Sequence, residues 1–236
     1  MSRTTEWLEQ GPSGKPAVQA ATVILVRDGA DGLEALMLRR NSKLAFGGMW
    51  VFPGGSVDEA DRAGLAAGDE LGAARRTAVR EAAEEAGLAV APESLVAFSH
   101  WTPPPIAPRI FLTWFFIAPA PEGAVAIDEG EIHDHAWMRA AEALRRRDAG
   151  EIELAPPTFV TLVDLAREGS VERALAAARA RTPERYSTRI AKGPGGMVAL
   201  WHGDAGYEAC DANAPGPRHR LAMLESGWVF GRSSLT

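Results

Sequence analysis

Three glutamates, Glu81, Glu84 and Glu85, follow Arg80 in the run Arg80-Glu81-Ala82-Ala83-Glu84-Glu85-Ala86-Gly87-Leu88. If the run is helical, positions i, i+3 and i+4 share a face, so the three carboxylates project together. Crowded carboxylates repel one another, more strongly when buried. A hard divalent cation removes that penalty. Mg²⁺ takes oxygen ligands in an octahedron and keeps several waters, which leaves room for a phosphate-bearing substrate. The plainer account is a solvated charged face, because Arg76, Arg80 and Glu84 lie at the four-residue spacing of surface charge rows. Upstream stands Phe52-Pro53-Gly54-Gly55. Glycines there let backbone approach a ligand or ion closely, and a loop carbonyl adds an oxygen ligand that side chains cannot supply.

The elements that must position these groups are legible. Residues 71–86 (LGAARRTAVREAAEEA) predict a helix with Gly87 as its C-cap. Ala78, Ala82 and Ala86 repeat every fourth residue on a separate stripe, small enough for close packing on a sheet. Residues 18–27 (VQAATVILVR) predict a buried strand, 28–32 a turn and 33–39 the returning strand of a hairpin. Met49 to Phe52 predicts a short strand stopped by Pro53, Gly54 and Gly55, and residues 56–70 a polar loop with one helical turn. Strands are expected over 88–99, 109–118 and 136–139, and helices over 140–147, 157–167 and 171–180. From Thr182 onward, apolar runs at 186–190, 196–202 and 219–231 are broken by Gly, Pro, Asn and Asp. The order implies a mixed sheet flanked by helices, an α/β or α+β fold.

Composition narrows the function classes. Of 236 residues, 46% are hydrophobic and 24% charged, which predicts an ordinary globular chain with room for a core. A net charge of −6 disfavours long nucleic acid as a partner. The single cysteine, Cys210, excludes an internal disulfide framework and fits a reducing compartment. The N-terminus lacks an apolar signal segment, and Ile110–Ala120 is about half a membrane span. A soluble, cytoplasmic protein with no membrane partner is expected. Basic residues that are nearly all arginine hint at a GC-rich bacterial genome.

FPGG followed by REAAEEAGL resembles the Nudix hydrolase signature, G-x5-E-x7-R-E-U-x-E-E-x-G-U with U aliphatic. Arg80, Glu81, Glu84, Glu85, Gly87 and Leu88 match its second half, with Ala82 at the first U. The first half departs. The span from Gly55 to Arg80 is longer than the family's, and Gly72 stands where the first glutamate belongs, with Glu70 a nearby substitute. The resemblance implies a Nudix α/β/α sandwich over residues 18–168, with a loop insertion at about 56–70. A flexible tail would occupy residues 1–17. A C-terminal extension, 169–236, would pack on the domain or at a homodimer interface.

The family hydrolyses a nucleoside diphosphate linked to another moiety, with Mg²⁺ or Mn²⁺ holding the phosphates. Carried over, Glu84 and Glu85 are the metal ligands, Glu81 a ligand or the general base, and the Gly54 carbonyl a further ligand. Arg80 would orient a glutamate through a charge-assisted hydrogen bond. In the acidic turn Asp128-Glu129-Gly130-Glu131, Glu131 is the first choice for an additional base and Glu129 the second. Gly55 would let the substrate approach, and Arg109 with Arg39 or Arg40 would contact phosphate, since the guanidinium fork suits phosphate oxygens.

A finer resemblance runs through LMLRRN, VFPGGSVDEAD and HWTPPPIAPRIFLTWFF, similar to the branch that includes peroxisomal coenzyme A diphosphatases. Thr102, Pro103, Arg109, Phe111 and Thr113 match, while Leu112 replaces an acid. Coenzyme A or an acyl-CoA is thus the first substrate expected. ADP-ribose, a dinucleotide or a damaged nucleotide is the second, and a non-catalytic ligand sensor is a rival of another class. Trp101, Trp114, Phe115 and Phe116 read as core, and the five histidines form no metal-ligand pattern.

Overall fold

The computed structural model describes residues 12, 14–41 and 47–233. The tail expected over residues 1–17 lies mostly outside these. β1 (Val18–Gly29) and β2 (Gly32–Arg40) form the expected hairpin, with Val26 opposite Ala35 and Gly29 opposite Gly32. On its other edge β1 runs parallel to β6 (Phe111–Pro119), from Val18 opposite Phe111 to Val26 opposite Pro119. A strand paired on both edges and covered on both faces needs a continuous apolar run, which Val23-Ile24-Leu25-Val26 supplies.

The edge that β1 shares with β2 is split. Residues 20–22 pair instead with β4 (Gly54–Ser56), and the Val23 N–H donates to the Pro53 carbonyl at 2.9 Å. The Phe52–Gly55 turn is therefore clamped to the central strand where β2 departs. β3 (Trp50–Val51), β5 (Val96–Thr102), β7 (Ile132–Arg139) and β8 (Glu184–Ser187) complete the sheet. The strand order is β3-β2-β1-β6-β5-β8, with β4 beside β1 and β7 beside β2. The expected strand over 88–99 is corrected. Residues 88–95 are irregular, with a 3-10 turn at Pro92–Ser94, and pairing begins at Val96. Pro92 lacks a ladder donor, so the pairing cannot include it.

Within the loop at 56–70, α1 (Glu59–Arg62) is the single helical turn expected. The helix α2 (Glu70–Ala86) starts at Asp69, whose side chain accepts from the Gly72 N–H at 2.9 Å, and ends on Gly87 at φ 67°, a left-handed cap. Its alanine stripe works as read: Ala78, Ala82 and Ala86 are fully buried against Ala21, Val23, Leu25 and Phe116. On the opposite face of the sheet, Ile24, Val26, Met37 and Phe115 pack under α3 (Ala140–Asp148), α4 (Pro156–Leu165) and α5 (Val171–Arg179).

The chain after α5 builds more than broken apolar runs suggest. β8 adds a parallel strand to the main sheet beside β5. β9 (Arg189–Gly193), β10 (Gly196–Leu200), β11 (His219–Leu224) and β12 (Gly227–Arg232) form a second, antiparallel sheet. It is two-faced, as strand alternation requires. Ile190, Ala199, Leu221 and Phe230 lie in register on the face that joins the main core. Ala191, Val198 and Leu200 face the connection between β10 and β11, including Ala212 and Tyr207.

Asp204 pins that connection. Its fully buried carboxylate takes both prongs of Arg220, at 2.7 and 2.6 Å, and the N–H groups of Gly206 and His219, each at 2.8 Å. Asp204→Ala leaves the Arg220 charge buried and unpaired, an expected cost of about 3–5 kcal/mol. Urea denaturation reads it as a lower midpoint at unchanged slope, and a loss below about 1 kcal/mol would contradict this anchoring role. Among the described residues no helix is long and apolar enough to cross a membrane.

Candidate active site

α2 presents Glu81 and Glu85 beside its alanine stripe, next to the Phe52–Gly55 turn, which both contact or approach. The Gly54 N–H donates to Glu85 Oε2 at 2.8 Å. Space explains both glycines. A Cβ on Gly54 would strike the Ala21 carbonyl and Thr22, and one on Gly55 would strike the Glu81 carboxylate. A larger residue at Gly54 would push the turn off β1, and one at Gly55 would displace the Glu81 carboxylate. Glu85 and Glu81 are buried, at 3% and 9% exposure, while the Glu84 side chain is 58% exposed.

Two arginines divide the carboxylates. Arg80 Nη1 bonds Glu81 Oε1 at 2.8 Å and Glu84 Oε2 at 2.7 Å, and Arg80 Nη2 bonds the Ser56 carbonyl at 3.0 Å. Arg40 Nη2 bonds Glu131 Oε2 at 3.0 Å, while its Nη1 bonds the Gly54 carbonyl at 3.3 Å and lies 3.6 Å from Glu85 Oε1. Burial pushes the Glu85 carboxyl up to about 7; Arg40 and the Gly54 N–H oppose this, and Glu81 and Glu131 add to it. Glu81 is also raised, chiefly by burial, with Arg80 opposing. These groups line one cavity of about 1470 Å³, with Gly54, Gly55, Asp128 and Arg109.

The sequence pointed to Glu70 as a substitute for the missing first glutamate, and that reading is corrected. Glu70 sits exposed at the start of α2, where it accepts from Gln19 Nε2 at 3.2 Å. Asp61, from α1 in the loop insertion, reaches Arg80 instead. Its carboxylate, buried at 5% exposure, accepts from Arg80 Nη2 at 3.1 Å, the Thr77 hydroxyl at 2.8 Å and the Asp58 N–H at 3.0 Å. Burial alone would raise Asp61, but these bonds together hold it below the usual carboxylate range. No residue spacing announced this contact; the one signal was an aspartate at 61 in a loop of unexpected length.

Of Arg39 and Arg40, Arg40 lines the cavity. Successive strand residues face opposite sides, and Arg39 is exposed and outside the cavity lining. Glu131 lines the cavity and Glu129 does not. Arg109 lines it from the β5–β6 connection, with its guanidinium 5.8 Å from the Phe111 ring centroid.

The donor set of carboxylates and a backbone carbonyl is that of a hard divalent cation, and Glu85 Oε1 is a buried carboxylate oxygen without a hydrogen-bond partner. Among the described residues no three acidic, His or Cys side chains converge as a ready metal cage, because Arg80 and Arg40 draw the glutamates to two sides.

The NUDIX domain model matches residues 17–156. The chain belongs to the NUDIX family. It is an enzyme, a Nudix-type hydrolase acting on diphosphate bonds. Among solved structures it is similar to a NUDIX hydrolase from Alicyclobacillus acidocaldarius, with 26% identity and a TM-score of 0.62 over 69% of this chain and 97% of that one. It is also similar to the NUDIX domain of Shewanella oneidensis NrtR, complexed with ADP ribose, with 20% identity and a TM-score of 0.49 over 71% and 97% of the two chains. A comparison with curated proteins finds no match. Nudix hydrolases generally use divalent cations. Residues 157–236, including all of the second sheet, lie outside the matched segment.

Proposed function

We propose that the protein is a Mg²⁺- or Mn²⁺-dependent pyrophosphohydrolase of a nucleoside diphosphate derivative. The observation that supports this reading is that Glu81, Glu84, Glu85 and Glu131 line one cavity together with Arg40 and Arg109. Glu81, Glu84, Glu85 and the Gly54 carbonyl would hold the cation, which when bound neutralises diphosphate charge and lowers the pKa of water. Arg40 and Arg109 take phosphate oxygens, Arg40 exchanging its carboxylate partners for substrate. The oxygen of an attacking water bonds to one phosphorus and the bridging P–O bond breaks. Glu81 or Glu131 accepts the water proton, and two phosphate products leave. Arg80 keeps Glu81 and Glu84 in place.

Coenzyme A or an acyl-CoA is the first substrate we propose, and ADP-ribose or a dinucleotide the second. The cavity volume supports a large ligand, since it exceeds the roughly 300–1,000 Å³ usual for small-molecule sites. We take residues 18–168 as the hydrolase domain and 169–236 as an extension packed on it. Mass spectrometry after incubation with Mg²⁺ and coenzyme A tests the substrate. Release of 3′,5′-ADP and 4′-phosphopantetheine is expected, and intact coenzyme A beside cleaved ADP-ribose would move the second reading forward. Gly55→Ala is expected to lower turnover about 10–100-fold, the range for disturbing groups that orient metal ligands. Near-normal turnover in this variant would show that Glu81 need not stand where it does.

A further inference from the structure

The cavity does not end at the glutamates. It passes from α2, on one face of the main sheet, to the second sheet on the other, where Ile190, Ala199, Trp201 and Met223 line it with Trp101 and Phe115. These side chains present carbon. Trp201 Nε1 donates to the Thr188 hydroxyl at 3.0 Å and Trp101 Nε1 to the Ser99 hydroxyl at 2.9 Å, so both indole N–H groups are engaged within the protein. Trp101 is held rigidly, stacked on Tyr186 at 3.8 Å with 6° between planes and edge-on to Trp201 at 5.7 Å. Ala199, opposite Ile190 in register, contributes the smallest side chain of these six to the lining.

Resting on the diphosphatase reading, we propose that this recess is the specificity subsite and takes a hydrocarbon group carried on the substrate's diphosphate. A nucleobase placed there would meet the hydroxyls of Thr158 and Thr188 but no full set of partners for its edge, and the hydrogen bonds left unmade cost more than its ring burial returns. A hydrocarbon chain loses nothing polar and gains with each methylene buried. The recess is built largely by the chain beyond the matched NUDIX segment, so the extension sets which diphosphate is hydrolysed while α2 and the Phe52–Gly55 turn carry out the hydrolysis.

The test uses alkyl esters of adenosine 5′-diphosphate, from methyl to dodecyl, with the whole 236-residue chain. For the wild type, kcat/KM is expected to rise about two- to fourfold per methylene over the first several carbons. Ile190→Trp, at a half-buried position, and Ala199→Phe, within the recess, are expected to cut the dodecyl-to-methyl ratio at least tenfold, mainly through KM. Calorimetric binding of the same esters with metal chelated separates the subsite from turnover. The dodecyl ester should bind at least tenfold tighter than the methyl ester in the wild type and lose that advantage in Ile190→Trp. Equal binding of the two esters by the wild type would overturn the proposal, as would a variant whose discrimination shifts between adenine and uracil nucleotides rather than between chain lengths. Absent turnover with the binding preference intact would instead overturn the diphosphatase reading and leave the recess standing.

Discussion

Glu84→Gln lowers turnover on a diphosphate substrate by about two to four decades and leaves the fold intact. The reasoning begins with exposure. The Glu84 side chain is 58% exposed, and it pairs with Arg80 at 2.7 Å, an i,i+4 surface pair. Such pairs contribute about 0–1 kcal/mol to stability, so the melting temperature should barely move. Glutamine keeps the shape and removes the charge. If Glu84 helps hold a cation against diphosphate, the lost charge stabilisation is several kcal/mol, and each 1.36 kcal/mol is about tenfold in rate. Steady-state kinetics at saturating Mg²⁺, beside a thermal melt, checks both halves. A variant with near-wild-type kcat would remove Glu84 from the site.

Asp61→Ala has the second large effect, and it reaches both stability and rate. Asp61 gathers Arg80, Thr77 and the Asp58 N–H around one buried carboxylate. Removing it strands the Arg80 guanidinium, 24% exposed, beside Glu81 and Glu84. Breaking a buried pair costs about 3–5 kcal/mol, here toward the lower end because Arg80 retains the two glutamates. Freed from Asp61, Arg80 still pairs with them but no longer holds them at one position, and kcat should fall about 10–100-fold as it does when groups behind metal ligands are removed. Asp61→Asn, which keeps shape and the Thr77 contact, separates the two effects: most of the stability should return while kcat stays low. Loss of stability without loss of kcat would make Asp61 a purely structural residue.

The same carboxylate gives an acid limit. Its folded pKa lies below the ordinary 3.8, so the stability it contributes is fully present above about pH 4 and is lost as pH falls through the depressed folded value. The wild type should therefore lose more stability than Asp61→Asn on acidification below that point, as read by urea midpoints. Parallel acid profiles for the two proteins would contradict the depressed value.

What could be read from the sequence was local. The alanine stripe and the glutamate face of α2 follow from a 3.6-residue period, and both appear as that period dictates. Glu131 is singled out by what the family resemblance implies, an acidic residue on a loop before a strand; its contact with Arg40, 91 positions away, is beyond any spacing rule. Asp61 was missed for the same reason in sharper form. A buried acidic partner of Arg80 comes from the loop insertion, and only the folded loop brings it there. The second sheet was illegible because its strands are short, its connections rich in glycine and proline, and its pairings set by a face that meets a core built elsewhere.

The central claim is that the α2 glutamates drive attack of water on a diphosphate. Its most direct test is hydrolysis of coenzyme A and ADP-ribose in ¹⁸O-labelled water, with Mg²⁺ and with chelator, by the wild type and by Glu85→Gln. The account predicts cleavage into two phosphate products, one carrying a single ¹⁸O, lost on chelation and reduced by orders of magnitude in the variant. Cleavage that survives both chelation and Glu85→Gln, or label found outside the phosphate groups, would contradict it.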